Sequence, residues 1–124
     1  MGAIASLRKP RVLIVEDDTL AAMHIVDVLQ GMGCEAVGPA TLVVTALPMA
    51  LHEQLDAALL DVYLIGQTVG PVADVLERRG VPFAFVTAYA RNHLPAAHRV
   101  RPYVSKPFTD HELQTAVEAL VVKE

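Results

Sequence analysis

Residues 57–61 read Ala-Ala-Leu-Leu-Asp, four apolar side chains that run straight into an acid. A strand with one wet face alternates polar and apolar residues. A short run without alternation marks instead a strand covered on both sides, as in a parallel sheet. Upstream, Val12-Leu13-Ile14-Val15 runs in the same way into Glu16, Asp17 and Asp18. Downstream, Phe83-Ala84-Phe85-Val86 ends at Thr87, and Tyr103-Val104-Ser105 ends at Lys106. A weaker run lies at Glu35–Val37.

Helix-length segments separate these runs. The first is expected to be capped by Asp17 or Asp18, with Leu20, Met23, Val26 and Leu29 as apolar positions and Gly31 and Gly33 at its end. The second starts near Thr41 and contains Pro48, where a lost hydrogen bond costing roughly 3 kcal/mol predicts a kink or an early break. The third covers Pro71–Arg79, between a first-turn proline and the terminating Gly80. The stretch Ala90–Arg99, interrupted by Pro95, has room for about two helical turns, so the fourth helix is expected to be short or mobile. Thr109 can cap the last helix, with Leu113, Val117 and Leu120 facing inward. Strands alternating with helices need right-handed crossovers, which gives an α/β fold of the flavodoxin-like (βα)5 kind. The expected sheet is parallel and five-stranded, in order 2-1-3-4-5, with helices on both faces. In such open sheets, the site lies beyond the carboxyl ends of the strands, where strand order reverses.

Composition sets the outer limits. The 124 residues are 53 % hydrophobic and 19 % charged, a balance that folds by itself. We expect a short N-terminal extension, 1–10, and one domain, 11–124. A net charge of −4 draws in no nucleic acid. Two small basic groups, Arg8, Lys9 and Arg11, and then Arg91, His93, His98, Arg99 and Arg101, read as solvated faces or partner contacts. The single cysteine, Cys34, excludes an internal disulfide and fits a reducing compartment. The most apolar stretch, Ala36–Leu51, spans sixteen residues, short of the roughly 20 needed to cross a bilayer. The amino terminus lacks a signal-peptide layout, so a cytoplasmic protein without a membrane span is expected. The histidines at 24, 52, 93, 98 and 111 lack the paired spacings of a zinc site.

Four of the five strands therefore finish in residues suited to phosphoryl chemistry: Glu16 and Asp17, Asp61, Thr87, and Lys106. In the order 2-1-3-4-5 these ends are neighbours. Each has a plainer reading alone, as a capping acid, a strand-end hydroxyl or a solvated lysine; together at successive strand ends they form a site. Asp18 sits one residue too far into the helix and reads as its cap. Three converging carboxylates repel one another unless a cation joins them. Magnesium suits the place, since it accepts one or two carboxylates, keeps several waters and coordinates phosphate oxygens. Asp61, central in the sheet, is the expected nucleophile toward phosphorus. Lys106 and Thr87 can serve two further phosphoryl oxygens.

The set Val15-Glu16-Asp17, Leu60-Asp61-Val62, Val86-Thr87-Ala88 and Lys106-Pro107-Phe108 resembles the receiver domain of two-component response regulators, over about Arg11 to Val122. The resemblance implies Asp61 as phosphoacceptor, and Asp17, Asp61 and the backbone carbonyl of Tyr63 as magnesium ligands, with Glu16 acting on the ion through water. It implies a switch in which Thr87 moves toward the phosphoryl group and Tyr103, three residues before Lys106, turns from exposed to inward. It also implies a cis Lys106–Pro107 bond. The phosphoryl donor would be a sensor histidine kinase or a phosphotransfer protein, and the reader a downstream protein. Such a domain is a signalling switch, monomeric or weakly dimeric, whose only chemistry is its own phosphorylation and slow dephosphorylation.

The run Pro82–Tyr89 further looks like single-domain receivers with the motif Phe-Ala-Thr-Gly-hydrophobic-aromatic, the FAT GUY subgroup, and departs from it at Val86, Ala88 and Ala90. That likeness implies a kinase of the HWE class. The competing reading is a pseudo-receiver that binds proteins without accepting phosphate. Such modules lose an acid, the aspartate, the threonine or the lysine, and this chain keeps all of them.

Overall fold

A computed structural model describes residues 8–122. Residues 1–7 of the expected extension lie outside the described residues, as do 123–124. Five parallel strands, β1 (Arg11–Val15), β2 (Glu35–Ala40), β3 (Ala57–Leu60), β6 (Phe83–Thr87) and β7 (Tyr103–Ser105), form one sheet in the order β2-β1-β3-β6-β7. Counted among sheet strands alone, this is the predicted 2-1-3-4-5. Two short strands, β4 (Tyr63–Leu64) and β5 (Gln67–Thr68), pair antiparallel as a separate hairpin. The helices are α1 (Thr19–Gly31), α2 (Val43–His52), α3 (Gly70–Arg79) and α4 (Asp110–Val121).

The unbroken apolar runs are explained by two cores, because alternate residues of a strand point to opposite faces. Leu13, Val15, Leu60, Phe83 and Phe85 pack with residues of α2 and α3, such as Ala46 and Leu76. Val12, Ile14, Leu59, Ala84 and Val86 pack with residues of α1 and α4, such as Leu29 and Val117. Cys34 is buried in this second core.

Several expectations need correction. Asp18 caps α1, accepting the Leu20 and Ala21 amides at 3.0 and 3.5 Å, but the buried face carries Ala22, Ile25, Val28 and Leu29. Leu20 and Met23 face solvent, 78 % and 58 % exposed. The phase follows Ile25, Val28 and Leu29, which pack in the second core, and this turns Leu20 and Met23 outward. α2 starts at Val43 and runs through Pro48 to His52, so of the two outcomes expected at Pro48, a kink or an early break, the break does not occur. The burial of Val43, Ala46 and Ala50 offsets the one lost hydrogen bond. β2 runs on to Ala40 past a register irregularity at Leu13/Val15. Gly38 sits there at φ +99°, and a Cβ would come 2.8 Å from the Ala40 nitrogen and 2.9 Å from the Ile14 oxygen, so only glycine fits.

The largest departure follows β6. No α-helix joins β6 to β7; two 3₁₀ turns, Arg91–His93 and Ala96–His98, stand in its place on either side of Pro95. Arg91 Nη1 donates to the carbonyls of Arg99 and Arg101 at 2.7 and 3.0 Å. His98 does not belong to a solvated basic face: it is 1 % exposed, with Nε2 2.8 Å from Asp74 and Nδ1 3.3 Å from Glu77. Arg101 lies over the Phe83 ring and pairs with Glu77. The last helix is as predicted, with a Thr109–Glu112 capping box over buried Leu113, Val117 and Leu120. Among the described residues, no helix is long and apolar enough to cross a membrane.

Candidate functional site

Strand register brings the acids together. Val15 pairs with Leu60 and the Asp61 amide donates to the Val15 carbonyl at 2.9 Å, so Glu16 and Asp61 leave the sheet side by side. On the other flank Thr87 pairs with Ser105, and the Lys106 amide donates to the Thr87 carbonyl at 2.9 Å. The Lys106–Pro107 bond is cis, as the resemblance implies.

Glu16, Asp17 and Asp61 each offer a carboxylate oxygen, all within 4.8 Å of one another. The Lys106 ammonium lies 2.6 Å from Glu16 Oε1 and 3.1 Å from Asp61 Oδ2. Backbone amides take three further oxygens: Asp18 N–H donates to Glu16 Oε2 at 3.1 Å, Val62 N–H to Asp61 Oδ1 at 2.7 Å, and Ile65 N–H to Asp17 Oδ2 at 2.9 Å. Glu16 is 1 % exposed. Burial pushes its carboxyl above the ordinary glutamate range, and the nearby Asp61 charge adds to this, against the opposing Lys106 and Asp18 hydrogen bonds. Burial alone would lower the Lys106 ammonium, but its bond to Glu16 and the charges of Asp61 and Glu16 hold it above the ordinary lysine value.

Three carboxylates meet one ammonium, which pairs with Glu16 and Asp61 but not with Asp17, and this leaves the cluster formally two negative charges in excess. Hard oxygen ligands with uncompensated charge suit a hard divalent cation such as magnesium, so the donor set fits the ion inferred from sequence.

The other predicted residues surround this cluster. Thr87 is fully buried, and its hydroxyl accepts the Tyr89 amide at 3.2 Å. Tyr103 is half-buried, with its hydroxyl donating to the Tyr89 carbonyl. Tyr63 begins β4 just after Asp61, its ring edge-on to that of Tyr89, with centroids 4.8 Å apart. Sequence reasoning missed the three amides of Asp18, Val62 and Ile65. Backbone donors carry no side-chain signature, and a glycine after Ile65 was the only hint of a turn there.

No protein-family model matches the sequence. The chain is similar to SdrG from Sphingomonas melonis Fr1, whose solution structure gives a TM-score of 0.81 at 37 % identity and covers 92 % of this chain and 98 % of that one. The response regulator REC domain of PhyR from Erythrobacter litoralis gives 0.81 at 28 % identity, covering 94 % and 92 %. By sequence, the phyllosphere-induced regulator PhyR of Methylorubrum extorquens is 31 % identical over 102 residues, 78 % of this chain. The chain spans 38 % of that regulator's length, and no more than 56 % of the other curated relatives it matches. With the strand order, the acid cluster and the lysine at their expected places, the chain belongs to the CheY-like receiver domains of two-component response regulators.

Proposed function

We propose that the chain accepts a phosphoryl group on Asp61, in a magnesium-dependent step, from a sensor histidine kinase or a phosphotransfer protein, and that a downstream protein reads the change. The observation that carries this reading is the Asp61 carboxylate between two further acids and the Lys106 ammonium. An Asp61 oxygen forms the new P–O bond as the donor's P–N bond breaks and the imidazole leaves. Asp17, Asp61 and the Tyr63 carbonyl would hold the ion, with Glu16 acting through water. Bound magnesium would supply positive charge to the phosphoryl oxygens as charge builds on them. Lys106, already within reach of Asp61, serves a second oxygen, and the Thr87 hydroxyl a third.

The switch has a short path. If Thr87 turns to the phosphoryl group it gives up the Tyr89 amide, and the Tyr89 carbonyl is the acceptor of Tyr103. A change at Thr87 thus reaches Tyr103 through one residue. The sequence run around Thr87 and the helix-free connection that follows it support an HWE-class kinase as the donor.

The test is intact mass after incubation with magnesium and acetyl phosphate. Gain of one phosphoryl mass by the wild type, absent from Asp61→Asn, is expected. No gain by either, with magnesium binding verified, would favour the pseudo-receiver; gain by both would place the acceptor elsewhere.

A further inference from the structure

The hairpin after Asp61 turns in two residues. Tyr63 pairs with Thr68 and Leu64 with Gln67, which leaves Ile65 at φ +46° and Gly66 at φ +79° as the loop. Positive φ at both positions is the mark of a type I′ turn, whose favoured sequences are Asn-Gly and Asp-Gly. Gly66 meets that demand. Ile65 does not, because a β-branched side chain at positive φ is a steric outlier. Its side chain is 67 % exposed, so its burial does little to offset the strain.

Strained backbone persists where its surroundings over-determine it, and it gathers at functional sites. Here Leu64 is anchored in the core at 1 % exposure, and the Val69 amide closes the base of the hairpin on the Val62 carbonyl at 2.8 Å. The third tie is the Ile65 amide itself, which donates to Asp17 Oδ2 at 2.9 Å. The strained residue is therefore the one whose amide holds the acid that enters the cluster without a lysine partner.

We infer that the Ile65–Gly66 turn is a positioning device for Asp17: its amide fixes one carboxylate oxygen and so the plane of the group, and magnesium affinity follows how fully the turn is populated. The inference rests on Asp17 being a magnesium ligand, as proposed above. Groups that orient a metal-ligating side chain typically change affinity about 10–100-fold when lost. Apparent affinity also scales with the fraction of molecules already in the binding conformation. An isoleucine in this place holds that fraction below what the turn could give.

The experiment is a magnesium chloride titration of the full chain, followed by amide chemical shifts, for the wild type, Ile65→Asn and Gly66→Val. A Cβ at residue 66 would meet nothing within 4 Å, so Gly66→Val acts first through the backbone preference of a β-branched residue against φ +79°. Gly66→Val should weaken magnesium binding roughly tenfold, and Ile65→Asn should tighten it about threefold. Without magnesium, Asp17→Ala should speed exchange of the Ile65 amide proton. If Gly66→Val does not fold, Ile65→Asn, which relieves strain, still decides. Dissociation constants within about twofold of a magnesium-binding wild type in the turn variants would overturn the inference and leave the magnesium reading standing. Unchanged Ile65 exchange in Asp17→Ala would also overturn it. A wild type that binds no magnesium would overturn both.

Discussion

The two ends of the central sheet treat charge in opposite ways. Before the strands begin, Arg8 grips Asp56 with two nitrogens at 2.8 and 2.9 Å. Arg11 reaches Glu53 at 3.3 Å and Glu35 at 3.5 Å. Glu35 and Glu53 are each about half in water, 53 % and 43 % exposed, and exposed pairs of that kind contribute about 0–1 kcal/mol. Beyond the strands, Glu16 and Asp61 are buried and share one ammonium, while Asp17 has a backbone amide. Both ends set carboxylates against cationic side chains, arginines at one and a lysine at the other. Burial and the ratio of acids to bases make one end a solvated fringe and the other a cluster short of a cation.

The largest way to break this comparison is Lys106→Ala. Removing one partner of a buried ion pair costs about 3–5 kcal/mol. The lysine side chain keeps 17 % exposure, so about 2–4 kcal/mol is expected here by urea unfolding without divalent cations. Magnesium chloride should restore part of that loss, since a cation bound only by the folded state adds about 2.7 kcal/mol at a hundredfold excess over its dissociation constant. A loss below about 1 kcal/mol would mean that water screens the cluster as it does the opposite end.

Asp61→Asn sharpens the contrast in the other direction. It takes one negative charge from a cluster with two in excess, so the cation-free protein should gain about 1 kcal/mol, on Coulomb grounds discounted for the lost Lys106 contact. The same variant tests the raised Glu16 carboxyl. Because Glu16 holds its proton to higher pH when folded than when unfolded, stability falls as pH rises above the ordinary glutamate value, and recovers in acid. Asp61 is one cause of that rise, so in Asp61→Asn the fall should move to lower pH in thermal melts taken across the carboxylate range. Lys106 behaves separately: its contribution is complete below the ordinary lysine value and is lost only as alkali passes its raised one.

The same difference between the ends shows what was legible in the sequence. Strand runs and the residues that end them were readable because a parallel sheet needs unbroken apolar runs, and Glu16, Asp61, Thr87 and Lys106 follow those runs directly. Their convergence then follows from strand order. The phase of α1 was not readable, because Leu20 and Met23 are apolar enough for a core and only the packing of Ile25, Val28 and Leu29 sets them outside. Nor could sequence show that His98 is buried against Asp74 and Glu77, since that depends on a connection without a helix folding back on α3. Amide donors such as that of Ile65 depend on a two-residue turn whose first residue contradicts the usual turn chemistry.

The smallest expected effect is also the cleanest test, because one substitution can be made at both ends. Glu→Gln removes a charge and nearly keeps the shape. At Glu53 it leaves Arg11 with Glu35 and with the Gln54 carbonyl at 2.9 Å, so stability should change by less than about 0.5 kcal/mol, with or without magnesium. At Glu16 the amide can still accept from Lys106, and the folded state no longer holds a carboxyl that burial disfavours. Cation-free stability should then also stay within about 1 kcal/mol of the wild type. The two variants should part only when magnesium chloride is added: the melting temperature of Glu53→Gln rises as the wild type's does, and that of Glu16→Gln rises less. Equal rises would mean that Glu16 serves the fold through Lys106 and has no part in holding the ion.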